Sequence, residues 1–474
     1  MPTEQNSPAL TSVAAGANTM TRQERHAFGA SLRKKNARGD HASWNAPKDR
    51  PDPVNLLIKQ GERRIQDLLP VRYARMSPSP FAFLRGAAIV MAADLATTES
   101  AGPHVQSCGD CHLANFGSYT SPEGTPVFDI NDFDETLAAP FEWDIKRLGT
   151  SLVLAGRENG ASEKSARALA VAMAQSYSAE MARLEPLTPL EIWTNRIDFS
   201  AAIDNFSDKH VRKQIRSRLD ARLESAQQHF GLVSYDNKAP AFRERPPLVM
   251  RLPAHENTIR DAFARYVATQ PPERAILLSR YHLQDIIFKV VGVGSVGTFC
   301  AIGLFATPDG DTLLLQIKEA QESVLAPFAG GNIFHNQGER VVTGQRIMQA
   351  ASDSFLGWTH TAGTDEAEDS APPLSGAGKQ FYVRRLKDTR LAAIGSDVAQ
   401  DGLPDYAELC GRTLARAHAR SGDVAVISGY IGKNDTFADA IASFSVLYAD
   451  QTKADWSVFL EAIKAGKISA SAPS

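Results

Sequence analysis

Between Asp285 and Lys318 three short apolar runs, IIFKVVG, FCAIGLF and TLLLQIK, are joined by VGSVG and by TPDGD. Runs of this length, rich in β-branched residues and bounded by glycine-bearing turns, read as strands in succession. After them, in GERVVTGQRIMQAASDSF, Val341, Met348 and Phe355 recur seven apart on one helical stripe. Any fold of this chain must therefore accommodate strand, loop, strand, turn, strand, helix.

Around this unit the organisation is expected to be α+β. Residues 1–50 are polar and read as a flexible arm with a basic patch at Arg33, Lys34 and Lys35, closed by the helix-breaking RPDPV. Residues 51–284 read as a helical region, within which 107–157 changes character. Phe141, Ile145, Leu148, Leu152 and Ala155 recur at three or four residues and mark one apolar helix face. Residues 285–400 read as a β-rich lobe with a disordered acidic, Pro/Gly/Ser-rich insertion near 359–379, and 401–474 as C-terminal helices, one of them amphipathic through Tyr406, Leu409, Cys410, Thr413, Leu414 and Ala417.

The 474 residues carry a formal net charge of -3, which gives no long-range field of one sign and no argument for a nucleic-acid partner. The basic helix Lys209 to Arg222 reads as a solvated face with Val211, Ile215 and Leu219 inward. No stretch reaches the roughly 18 apolar residues of a membrane helix, and four cysteines are too few for a disulfide framework, so a cytoplasmic address and no membrane partner are expected. Oligomeric state leaves no mark in the sequence.

Two motifs invite readings that their context opposes. CGDCH, Cys108 to His112, matches both haem c attachment and a redox dithiol, but no export segment is visible and Asp110 between the cysteines opposes thiolate formation. A zinc site would need two more ligands, with only His104 and His112 near. GVGSVG, Gly292 to Gly297, satisfies the dinucleotide fingerprint, yet that fingerprint must open a helix and this loop runs into a strand. A strand-loop-strand with three glycines is the arrangement in which protein kinases cover nucleotide phosphates; a plain hairpin with a glycine-rich turn is the bland alternative.

Phosphoryl transfer needs a phosphate cover, a cation, carboxylates for Mg²⁺ and a carboxylate that orients the attacking hydroxyl. Gly292, Gly294, Ser295 and Gly297 supply a cover, and Lys318, at the end of the third strand, a cation. Glu339 is the candidate acidic partner of Lys318, with Glu319 and Glu322 competing. GDCHLANFG resembles the catalytic loop of aminoglycoside and choline kinases, roughly H-G-D-x-H-x-x-N, with Cys108 where those kinases usually carry His. That resemblance implies that Asp110 orients the hydroxyl and Asn115 holds a metal ion. In FDINDFDE, alignment with their I-D-F/W-D segment makes Asp132 the Mg²⁺ ligand, with Asp129 and Asp134 in reserve, and makes Asp144 of EWDIKRLG a brace for the loop. ATP and Mg²⁺ are the implied cofactors, and a small-molecule or protein hydroxyl the acceptor.

These catalytic-loop residues precede the Gly-rich loop by about 180 residues, the reverse of the kinase order. A circularly permuted two-lobe protein-kinase-like fold with large helical additions, read in the order 286 to 423 and then 107 to 157, restores it. From about Arg22 onward the chain also resembles the bacterial family of domain of unknown function 2252, through RYARMSPSPFAFLRGAA, GDCHLANFG, FDINDFDET, WDIKRLGTSL, QIKEA, GERVVTGQR, LARAHARSGD, GYIGKNDTFADAI and YADQ. That family is grouped with kinase-like folds, which implies nucleotide chemistry without naming a substrate. The clustered Arg72, Arg75 and Arg85 read as structural, with phosphate binding as the alternative. An ATP-dependent phosphotransferase is thus expected, ahead of a non-catalytic pseudokinase, a nucleotidyltransferase, or a redox or haem protein.

Overall fold

The chain is described by a computed structural model over residues 19–227, 231–235, 239–252, 256–290, 292–362, 378–386 and 400–471. Thr21 and Glu24 form a reciprocal capping box that starts α1 (Arg22–Leu32). Residues 1–18 of the expected flexible arm lie outside the described residues, but 19–50 are docked. Arg33 donates to the carbonyl oxygens of Tyr430 and Gly429, and Arg38 to that of Ile431 at 2.7 Å. Those carbonyls end the helix Val424–Ile431, so Arg33 of the basic patch and the nearby Arg38 cap a helix C-terminus, where cations are favoured. Polar composition therefore hid a packed segment.

The short α2 (Pro80–Gly86) begins with Ser79 accepting a hydrogen bond from the Ala82 N–H at 3.1 Å. Within the helical region β1 (His104–Ser107) pairs antiparallel with β4 (Leu137–Pro140), and β2 (Phe116–Thr120) with β3 (Pro126–Ile130), which Ile197–Asp198 extends on its other edge. α3 (Phe141–Glu158) follows, and its predicted apolar face is wholly buried, against α4 (Glu163–Leu184) among others. On the basic helix Lys209–Gln227, Val211 and Ile215 are buried and Leu219 packs against the same core, as the solvated-face reading requires.

A six-stranded antiparallel sheet forms the β-rich part. Its order is β9 (Gly357–His360), β10 (Gln380–Arg385), β8 (Thr312–Glu319), β7 (Cys300–Ala306), β6 (His282–Lys289) and β5 (Val249–Met250). The three predicted strands are β6, β7 and β8, and the sheet also takes in residues before 285. Alternation along β8 sends Leu313, Leu315 and Ile317 into one apolar cluster and turns Gln316 and Lys318 to the opposite face. α5 (Gln337–Met348) comes next and stops before Phe355, because Gln349 is already extended. Thr359 and His360 of the expected insertion end β9, and 363–377 lie outside the described residues.

α6 (Leu403–Ala419), α7 (Val424–Ile431) and α8 (Thr436–Lys464) close the fold, with α6 packed along α4 and α1 along α7. The architecture is mixed α+β. Among the described residues no helix is long and apolar enough to cross a membrane.

Candidate active site

The GDCHLAN segment leaves β1 and is held from behind by one face of α3. Asp144 accepts from the N–H groups of Cys108 at 2.8 Å and Gly109 at 3.1 Å, and the Ser151 hydroxyl accepts from the Leu113 N–H at 3.0 Å. Asp144, Arg147 and Ser151 recur at i, i+3 and i+7, which aligns them on one helix face. His418 of α6 lies behind Asp144, Nε2 to Oδ2 3.2 Å. Gly109 has φ of 78°, and a Cβ there would overlap the Glu135 carbonyl oxygen, so the loop and the FDINDFDE turn touch through a glycine.

Asp110 projects from this loop. Arg147 grips its Oδ1 with Nε at 2.8 Å and with Nη2. Among the described residues its Oδ2 makes no hydrogen bond; His112 Nε2 lies 3.7 Å away, and burial holds that imidazole neutral by pushing its pKa well below the ordinary value. Burial also raises the Asp110 pKa, against the opposing pull of Arg147 and Arg85. A carboxylate with one oxygen clamped, the other directed elsewhere and a raised proton affinity has the character of a general base. The side-chain amide of Asn115 donates to the Asp110 carbonyl at 2.7 Å, which leaves its own Oδ1 as an acceptor.

The cysteines beside Asp110 are buried free thiols. Burial pushes Cys108 well above the ordinary thiol value and Cys111 up to about 11, so both are protonated and poor nucleophiles. Cys108, Cys111 and Asp144 bring their ligand atoms within 4.8 Å of one another, but Asp144 already accepts the two loop N–H groups and faces His418.

The acidic turn is tied to the loop by the Asn131 N–H, which donates to the Asn115 carbonyl at 2.8 Å. Asp129 is buried in an ion pair with Arg416 of α6. Asp132 is half-buried, and its Oδ1 accepts from the Asp134 N–H at 3.3 Å. Asp134 receives the Lys318 ammonium, the Ser295 hydroxyl at 2.9 Å and the Tyr382 hydroxyl at 2.8 Å. Burial alone would raise its pKa; the charge and hydrogen bond of Lys318, with Tyr382, outweigh burial and hold the carboxyl at about 2. Lys318 and Tyr382 are directly opposed in the β8–β10 register, which explains why both reach one carboxylate.

The acidic partner of Lys318 is thus Asp134, and the expected pairing with Glu339 does not form. Asn336 caps α5 by accepting from the Glu339 N–H at 3.1 Å, and the next residue, Arg340, takes the inward position with no exposure. Arg340 donates to the carbonyls of Thr136 at 2.7 Å, Asp134 at 2.8 Å and Gln321 at 2.8 Å. Glu319 is engaged by the Phe299 N–H and Lys379, both at 2.7 Å, and Glu322 lies 3.6 Å from Arg63.

The Gly-rich loop makes a single tight turn at Val293–Ser295, with Gly292 and Gly294 exposed and Ser295 buried. Arg64 supports its far side, Nη1 donating to the Val296 carbonyl at 2.6 Å, while the Ile65 N–H donates to the Gly297 carbonyl at 2.8 Å. A methyl group placed on Gly294 would lie 3.7 Å from Asp110 Oδ2 and 3.7 Å from the Arg85 carbonyl oxygen. Asp110, Asn115, Asp132, Lys318 and the Gly292–Gly297 loop therefore converge on one region, while Glu339 stays outside it.

Arg147, Arg416, His418 and Tyr382 were not singled out from the sequence. Arg147 had a usable signal, a charge three residues after Asp144 on an apolar helix; so did Arg416 and His418, two cationic types in the otherwise apolar LARAHA.

A family model described as an uncharacterised protein conserved in bacteria, DUF2252, matches residues 64–462. The chain belongs to that family. No curated protein and no solved structure matches it. The DUF2252 match runs from Arg64, beneath the Gly-rich loop, through the GDCHLAN segment, the acidic turn and the sheet into α8. α1 and the residues up to Arg63 precede it.

Proposed function

We propose that this DUF2252 protein is an ATP- and Mg²⁺-dependent phosphotransferase whose acceptor is a hydroxyl of a small molecule or protein. The observation that carries the reading is the contact between Lys318 and Asp134, 184 residues apart, with Ser295 of the Gly-rich loop on the same carboxylate. Phosphate cover, cation, acidic turn and base thereby come together, as phosphoryl transfer requires. The three-strand meander, then α5, then the β9–β10 hairpin returning beside β8, supports a kinase-like sheet lobe. The bracing of Asp144 and Asp129 by α6 supports the permuted order, in which α6 leads into the catalytic loop.

Mg²⁺ takes hard oxygen ligands, and Asp132 and the free Oδ1 of Asn115 fit it chemically. When bound it would neutralise the phosphate oxygens. Of the chain's own groups, Asp110 Oδ2 orients the acceptor hydroxyl and takes its proton, Lys318 holds phosphate oxygens, and the loop over Asp110 excludes water.

Calorimetric titration of the full chain with MgATP tests this. Wild type binds; Lys318→Met weakens binding at least about tenfold, the loss of one charge-assisted contact; Asp110→Asn keeps binding yet loses ATP turnover by at least about 100-fold. A wild-type protein without MgATP affinity would falsify the reading. One observation favours a second reading, a nucleotide-binding regulator without chemistry: Arg147 occupies Asp110 Oδ1. Under it, Asp110→Asn alters no ATP turnover because there is none to alter.

A further inference from the structure

Arg85 stands in the last turn of α2 at the edge of the same site. Among the described residues its guanidinium makes no hydrogen bond and no ion pair. Its Nε is shut off from water with no partner, and its Cζ rests 5.9 Å from the centre of the Phe81 ring. Burial lowers its pKa, while Asp110, Asp132 and Glu158 face it and oppose that shift. The guanidinium thus feels the charge of three carboxylates and, among the described residues, pairs with none of them.

Its neighbours behave differently. Arg147 has closed on Asp110 and on the Leu84 carbonyl at 2.8 Å, and Arg72 on the Gly86 carbonyl at 2.7 Å. An arginine left unpaired at a half-buried position keeps its desolvation cost uncompensated, and its planar fork suits an oxyanion better than any other ligand. A methyl group on Gly294 would lie 3.7 Å from both the Arg85 carbonyl oxygen and Asp110 Oδ2, so Arg85, the candidate base and the Gly-rich loop meet at one place, and the charge of Asp132 also acts on the guanidinium.

We propose that Arg85 binds the phosphoryl group in transit between Asp110 and Asp132. The inference rests on the phosphotransferase reading and specifies which residue meets the transferred group. The acceptor oxygen forms the new P–O bond as the bond from the γ-phosphorus to the ADP oxygen breaks. The hydroxyl proton goes to Asp110 Oδ2, and the electron pair of the broken bond stays on ADP. Two carboxylates flank the migrating group and repel it, so a cation beside both is where charge stabilisation is needed. A carboxylate or phosphate elsewhere on the acceptor would have no reason to lie between the base and the metal-binding turn.

The full chain is titrated with MgADP alone and with MgADP plus aluminium fluoride, a mimic of the phosphoryl group in transit. Arg85→Ala keeps MgADP affinity within about threefold but loses the tightening that aluminium fluoride gives wild type, and ATP turnover falls at least about 100-fold. Guanidinium ion added to Arg85→Ala restores part of the turnover, which a merely structural role would not allow. If Arg85→Ala is tightened by aluminium fluoride as wild type is, the inference is overturned and the phosphotransferase reading stands. If wild type binds no MgADP, that reading fails and this inference fails with it.

Discussion

Four carboxylates share the eight residues FDINDFDE, and each meets a different environment. Asp129 is neutralised by Arg416, Asp134 by Lys318, and Asp132 is half-buried, while Glu135 accepts from the Val324 N–H at 2.7 Å and has no ion-pair partner among the described residues. Burial pushes Glu135 up to about 7 despite that hydrogen bond. Asp134, held at about 2, stays ionised across all ordinary pH. For Glu135 the folded carboxyl holds its proton more tightly than the unfolded one. Stability is therefore full below its ordinary 4.5, falls as pH rises towards 7, and stays reduced above. Glu135→Gln is expected to stabilise the protein at pH 8 by about 1–3 kcal/mol and to have no advantage at pH 4. Urea denaturation at the two pH values measures it, and equal gains at both would show that the residue does not titrate as described. None of this was legible in the spelling of the segment. The cluster announced itself as acidic, but which carboxylate is spent on structure depends on Arg416 and Lys318, which arrive from elements hundreds of residues away.

At the scale of elements the sequence was more informative. β6, β7 and β8 could be read because period-two alternation is a local signal, and α3 because its apolar residues return every three or four positions. The role of Asp144 as a brace was also readable, from its resemblance to known loops. The ends were less so: α5 stops at Met348 since the next residue leaves helical geometry, which a seven-residue stripe does not report. What no periodicity encodes is how the GDCHLAN loop meets the acidic turn. That meeting runs through Gly109, whose φ of 78° and contact with the Glu135 carbonyl admit no side chain. Gly124, in the β2–β3 turn, has φ of 86° with open space around it. Alanine at Gly124 carries backbone strain alone, about 1–3 kcal/mol, whereas Gly109→Ala carries that strain and displaces the loop. Thermal unfolding should rank Gly109→Ala well below Gly124→Ala, and the MgATP turnover that the phosphotransferase reading proposes should survive only in the latter. Equal behaviour of the two variants would mean that the loop does not depend on this contact.

For the molecule as a whole, described residues from early and late in the chain pack together, and residues 19–50 of the expected flexible arm are part of the reason. Arg50 donates to Asp94 through Nε at 2.8 Å and Nη2 at 2.7 Å, and to Asp455 through Nη1 at 2.8 Å and Nη2 at 2.7 Å. Asp94 and Asp455 are 2% and 4% exposed, so one guanidinium compensates two buried charges from helices more than 350 residues apart in sequence. Tyr448 adds a hydrogen bond to Asp94 at 2.6 Å. Composition could not reveal this, because a polar segment that spends its cations on buried acceptors looks the same on paper as one that leaves them in water. Removing a partner from a buried ion pair costs more than the pair contributes, since the charge left behind has no solvent: Arg50→Met should destabilise by about 3–5 kcal/mol. Asp94→Asn added to Arg50→Met should recover part of the loss, as read by urea denaturation. A loss with no recovery in the double variant would instead assign the effect to packing of the Arg50 stem on Trp44, whose ring centre lies 5.5 Å from the guanidinium carbon.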